Sequence, residues 1–170
     1  MQPIEFMGFS GDCIVYGHLE LTADRLTDEL NASDSFRLEG VSLEGLGDGH
    51  VVQLPELVVD QADLFAALAT GPRGNEARRI RTRIVRMQLS LGPYIVLGNL
   101  HTHPGADPMI SVMRRSPMVP LTNATIAFAR DGFVVARDAE ALLVNRNLAD
   151  QIRPTGNEAI IFPDATIIAA

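Results

Sequence analysis

His101 and His103 stand one residue apart at the end of the apolar run that starts at Ile95, and Pro104, Asp107 and Ser111 follow them. Residues i and i+2 of an extended strand share a face, so two imidazoles so spaced can offer nitrogens to one divalent cation. With a carboxylate as a further ligand and a glutamate to take the proton of a bound water, such a set would carry out zinc-dependent hydrolysis. The carboxylate is the weak point. Asp107 is the nearest acid, but with Pro108 directly after it the same residue is placed to start a helix. Upstream, Glu39, Glu44, Glu56 and Glu76 are available, and no spacing marks one of them as the base. The plainer reading puts His101 and His103 at the polar end of a strand.

The histidine pair, the seven-residue gap to Ser111, Gly98 and Pro104 together resemble the JAMM metallopeptidases, a family of zinc isopeptidases. That resemblance implies zinc at His101 and His103 and a deubiquitinase-like hydrolase. The departure at Arg114, where the family carries its aspartate, takes away a ligand.

A second concentration of chemistry lies just upstream. Arg73, Arg78, Arg79, Arg81, Arg83 and Arg86 gather positive charge in an acidic chain. Alternation with Ile80, Thr82 and Ile84 puts Arg79, Arg81 and Arg83 on one side of a strand, and with Arg86 they form a candidate patch for an anionic partner. The alternative is a charged edge strand kept from aggregating by its arginines. No phosphate-binding loop, dinucleotide fingerprint, nucleophile elbow or paired-cysteine metal site is present. Cys13 is the only cysteine and opens an apolar run, which predicts a buried, inert thiol without a disulfide.

The elements that would position these groups are mostly strands. Ile4 to Phe9 and Cys13 to Leu21 flank the turn residues Ser10, Gly11 and Asp12, which predicts a hairpin. Asp24 is expected to cap a short helix that buries Leu26 and Leu30 and ends at Asn31. A strand with an irregularity near Gly40 follows, then a turn at residues 47–49 and a strand that Pro55 bends or confines to an edge. One helical turn is expected over Phe65 to Ala69 and a linker at residues 71–74. In the strand ending at Leu91 the alternation breaks phase near Val85 and Arg86. Tyr94 to Leu100 is a strand, Met109 and Met113 share a helix face, and Val119 to Phe128, Phe133 to Ala136 and Ala141 to Val144 are strands. Two short apolar pieces, Ala159 to Phe162 and Thr166 to Ala169, close the chain.

With 170 residues, 46% of them hydrophobic, the chain can bury a real core. A net charge of -7 argues against nucleic acid, whose binding needs a basic face. No signal peptide and no apolar run long enough to span a bilayer is evident, so no membrane partner and a cytoplasmic home are expected.

Laying the second half of the sequence on the first pairs Gly11 with Gly92, Gly17 with Gly98, Asp24 with Asp107, Leu38 with Leu121, and Leu57 to Val59 with Leu142 to Val144. Matching turn glycines, helix starts and apolar positions in one order predicts a duplicated unit. The expected units are 1–72 and 79–152, with a C-terminal strand extension over 153–170. The stretches LHTHPGADP, SPMVPLTNATI and ALLVNRN resemble a family of small bacterial β-rich domains of unknown function. The resemblance implies a fold and no mechanism. Together these readings predict a mainly β protein with short helices, built as two small curled-sheet or barrel-like units packed side by side. Its expected role is a non-catalytic interaction or assembly module that binds a protein or itself and needs no cofactor. The alternative is the zinc hydrolase at His101 and His103.

Overall fold

The computed structural model describes residues 1–73, 82–156 and 166–168, the last three as backbone. Strands β1 (Gln2–Phe9) and β2 (Cys13–Leu21) form the opening hairpin around residues 10–12. Helix α1 (Leu26–Ala32), strands β3 (Ser35–Gly45) and β4 (Val51–Asp60), a 3₁₀ turn at Gln61–Asp63 and the short strand β5 (Ala66–Leu68) follow. The same succession then recurs as β6 (Arg83–Leu91), β7 (Tyr94–Thr102), α2 (Pro108–Arg114), β8 (Met118–Arg130), β9 (Phe133–Asn145), a 3₁₀ turn at Arg146–Leu148 and β10 (Gln151–Pro154). Last comes β11 (Thr166–Ile168), parallel to β9. No helix among the described residues is long and apolar enough to cross a membrane.

The protein is mainly β, and its strands make one sheet in the order β10-β6-β7-β8-β9-β5-β1-β2-β3-β4, with β11 added to β9. Registers correspond between the two runs of strands. Gln2 faces Leu21 as Arg83 faces Thr102, and Ser35 faces Asp60 as Met118 faces Asn145. β2 slips against β3 between Tyr16 and His18, and β7 slips against β8 between Leu97 and Asn99. Near each slip the facing strand holds a residue of positive φ, Gly40 at 57° and Asn123 at 45°, residue types that tolerate that conformation. A glycine sits at each slip because the strands close in there. A Cβ on Gly98 would lie 2.7 Å from the Leu121 Cβ, and one on Gly17 3.3 Å from the Leu38 Cβ.

Strand alternation feeds two apolar cores. One gathers Phe6, Leu19, Leu26, Leu30, Leu38 and Val59 of the first run, and receives Met118 and Leu143 from the second. The other gathers Met87, Leu91, Tyr94, Leu121, Ile126 and Leu142, and receives Met7, Phe9, Ile14 and Ala66 from the first. The cores are therefore interlocked at the joint where β5 pairs with β9. Polar ties cross the same joint. Asn31 pairs with the backbone of Met118 in both directions (3.0 and 2.9 Å), Arg130 reaches Glu44 at 2.7 Å, and the Tyr94 hydroxyl donates to the Ser10 carbonyl.

Several local expectations need correction. Among the described residues the sheet does not close into a barrel, because β4 and β10 remain its two ends. Residues 66–68 are a strand and not a helical turn. The partner edge of β9 outweighs their Ala and Leu helix propensity, and the turn falls earlier, at Gln61–Asp63. Asp24 does not cap α1. Arg25 holds that position without a side-chain capping bond, its guanidinium reaching Asp28 instead, and Glu29 steadies the entry from inside, accepting from the N–H groups of Thr22 and Ala23. Residues 133–145 form one strand, since small Ala139 does not interrupt pairing. Met113 is exposed, and α2 buries Val112 instead, because the helix is only about two turns long. β10 straddles the expected boundary between 152 and 153. The piece expected over residues 159–162 lies outside the described residues.

Candidate functional site

His101 lies near the end of β7, half-buried, on the face it shares with Asn99. Its Nδ1 is 3.1 Å from the Thr82 hydroxyl and its Nε2 2.7 Å from the Thr122 hydroxyl, so both ring nitrogens are already hydrogen-bonded. Its carbonyl accepts from Arg115, whose half-buried guanidinium is shifted downward by burial. His103 is past the strand and exposed. There the chain turns so that its carbonyl accepts from the Ala106 N–H at 3.1 Å, with Gly105 at φ 81°. The i, i+2 alignment that would aim both rings at one ion therefore has no strand under its second member.

The remaining members of the spacing are committed elsewhere. Asp107 Oδ1 accepts from the N–H groups of Met109 (2.8 Å) and Ile110 (3.2 Å), the capping role its place before Pro108 predicts. Ser111 sits inside α2, and Arg114 is exposed at its end. Among the described residues no group of three or more histidine, cysteine or acidic side chains is gathered for a metal ion.

Of the arginine patch, Arg79 and Arg81 lie outside the described residues. Arg83 and Arg86 are in β6, whose register against β7 runs unbroken from Arg83–Thr102 to Leu91–Tyr94, so the expected phase break is absent. Val85, Met87, Leu89 and Leu91 form the inward series, which puts Ile84 with Arg86 on the other face and leaves Arg83 and Arg86 on opposite sides. Arg86 is tied down by Asn99 Oδ1 at 3.0 Å and the Asn123 carbonyl at 2.6 Å.

Cys13 is half-buried, with its sulfur 3.2 Å from the Ser10 hydroxyl, and burial pushes its thiol up. Tyr94 is the hub of an aromatic cluster, its ring 5.6 Å from Phe9, 5.8 Å from Phe65 and 6.0 Å from Phe128, and burial raises its hydroxyl far above the usual range. A deeply buried phenol bonded to a backbone carbonyl is a structural tie and offers no ready base.

The unusual chemistry is in the backbone of β4. This strand pairs with β3 on one side and, among the described residues, has no strand on the other. Its outer edge shows Val51, Val52 and Val58 at 50%, 45% and 59% exposure. Beside it runs a groove of about 490 Å³ lined by the aliphatic Val15, Leu43 and Leu57 and by the acidic Asp12, Asp60 and Asp63. Residues 57–59 of β4 hold the register places that residues 142–144 hold in β9, where Leu143 is 0% exposed beneath β5. Pro55 marks a possible edge here in the sequence, whereas residues 66–68, which pair with the corresponding stretch of β9, carry the signature of a helical turn. The signal was the apolar triplet Leu57–Val59 running on after a proline.

No family model, curated protein or solved structure matches this chain.

Proposed function

We propose that the chain is a non-catalytic, tandemly duplicated β protein that works as an interaction or assembly module, and that it takes an extended polypeptide segment onto the outer edge of β4. The recurring order of elements, the corresponding registers and the two slips at Gly17 and Gly98 support the duplication. One observation carries the docking role: the edge that β5 covers on β9 has no strand on it in β4 among the described residues, and Val58 is exposed there. A ladder edge without a partner among the described residues, beside a groove of mixed aliphatic and acidic lining, is suited to strand addition, in which main-chain hydrogen bonds give affinity and alternate side chains give selectivity. Pro55 and Glu56 interrupt the edge and limit indiscriminate pairing.

Short peptides selected from a display library against the intact chain, with counter-selection against Val58→Lys, should be extended and alternately apolar. They should slow amide exchange at Leu57, Val58 and Val59. Selection that is indifferent to Val58→Lys would sink the docking role. Stoichiometric zinc in the purified protein that is lost in His101→Ala would sink the non-catalytic reading.

A further inference from the structure

The edge of β4 has a counterpart within the molecule whose occupant is visible. Leu142, Leu143 and Val144 of β9 pair with Leu68, Ala67 and Ala66 of β5. In the second run β10 takes the place of β5, pairing with β6 through Gln151–Ser90 and Ile152–Leu89 as β5 pairs with β1 through Ala66–Phe9 and Ala67–Gly8. The backbone approach is the same too. The Phe65 N–H donates to Phe9, and the Asp150 N–H donates to Ser90. β5 then offers its far side to β9, whereas β10 has no strand on its far side among the described residues. One end of the sheet is thus an acceptor edge and the other a donor strand of matching design.

We propose that the occupant of the β4 edge is β10 of a second copy of this chain, added antiparallel with Gln151 opposite Val59, Ile152 opposite Val58 and Arg153 opposite Leu57. This rests on the reading of β4 as a docking edge. The matching register is the argument for that occupant, and charge works on it in both directions: β10 brings Arg153 beside Glu56, while Asp150 comes opposite Asp60. The joint uses two different surfaces, so it repeats head to tail and gives a ring or a growing chain.

One residue sets its strength. At the internal joint Asn145 is buried and its Nδ2 donates to the carbonyls of Gln61 (3.2 Å) and Leu64 (3.0 Å), fixing the turn that leads into β5. Asp60 stands in that place on β4. An ionised carboxylate only accepts, so the corresponding carbonyls of Arg146 and Ala149 receive no donor from it. The joint between copies is therefore weaker than the internal one and reversible with concentration.

Sedimentation of the full chain should show mass rising with concentration, Val58→Lys should remain a monomer, and Asp60→Asn should assemble at concentrations lower by about tenfold, the effect of one good hydrogen bond. Far-ultraviolet circular dichroism checks that each variant is folded. Independently, chains carrying Val58→Cys and chains carrying Ile152→Cys, both with Cys13→Ser, should cross-link on mild oxidation when mixed and not when kept apart. A wild-type chain that stays monomeric at every concentration overturns the proposal. So does rapid self-cross-linking of Val58→Cys alone, which would mean β4 against β4 and would leave the docking edge standing with a different occupant. Failure of the peptide selection as well would remove the docking edge itself.

Discussion

β4 and β9 are built to one plan and meet opposite fates. Each follows a long hairpin partner, each carries an aliphatic triplet in corresponding register, and each leads into a 3₁₀ turn. The triplet of β9 is sealed by β5 and reaches into the core of the other half, while the triplet of β4 leaves Val58 in solvent. The same local sequence pattern thus yields a core strand or an open edge according to whether a neighbour arrives. Burial of a Leu side chain contributes roughly 1.5–3 kcal/mol, so the contrast is testable as stability. Leu143→Ala should cost about 3 kcal/mol with its cavity included. Val58→Ala, at the matching position, should stay within about 0.5 kcal/mol. Urea unfolding at a concentration where the chain is monomeric measures both, and equal losses would mean that the two edges do not differ as described.

The turn after each strand sharpens the comparison by a smaller amount. Asn145→Asp keeps the size of the side chain and removes the donor that satisfies the Gln61 and Leu64 carbonyls. The Gln61 carbonyl keeps the Leu64 N–H, but taking the donor from the buried Leu64 carbonyl should cost about 2 kcal/mol. It should also raise amide exchange in β5, since that strand is held there by the turn. A neutral result would show that the β5–β9 joint is held by apolar packing alone, and would remove the reason for expecting Asp60 to weaken the joint between copies.

How far the sequence carried this picture depends on what each signal reports. Turn glycines, the hairpin around residues 10–12, the irregularity at Gly40 and the Asp107 cap are short-range and are readable, because backbone conformation at those places is decided by the residue itself. β5 was not readable. Its Ala-Ala-Leu triplet has helix propensity and becomes a strand only between β1 and β9, whose nearer residues lie more than 50 positions away on either side. The phase break expected in β6 came from counting Ile84 as an inward residue, whereas pairing with His101 turns it outward. For the histidines, spacing indicated a shared face, but that face ends with the strand at Thr102, so His103 belongs to a turn. A ligand spacing reports geometry only while the secondary structure beneath it continues.

The two helices extend the comparison to its smallest effect. α2 is capped from outside by Asp107, so Asp107→Ala should cost about 1 kcal/mol. α1 has no side-chain cap and relies on Glu29. Partial burial opposes ionisation of that carboxylate, but the Thr22 hydroxyl and the N–H groups of Ala23 and Thr22 outweigh it and hold the group below its ordinary value of 4.5. A carboxyl lowered in the folded state stabilises fully above its unfolded value, and that help disappears as pH falls through the lower folded value. Glu29→Gln should therefore lower the midpoint of thermal unfolding at neutral pH and flatten its decline below about pH 4.5. The decline should persist in Asp107→Asn if Glu29 is its source. An acid limb unchanged in Glu29→Gln would assign the entry of α1 to the packing of Leu26 and Leu30 and would leave α2 as the one of the two held by a side-chain carboxylate.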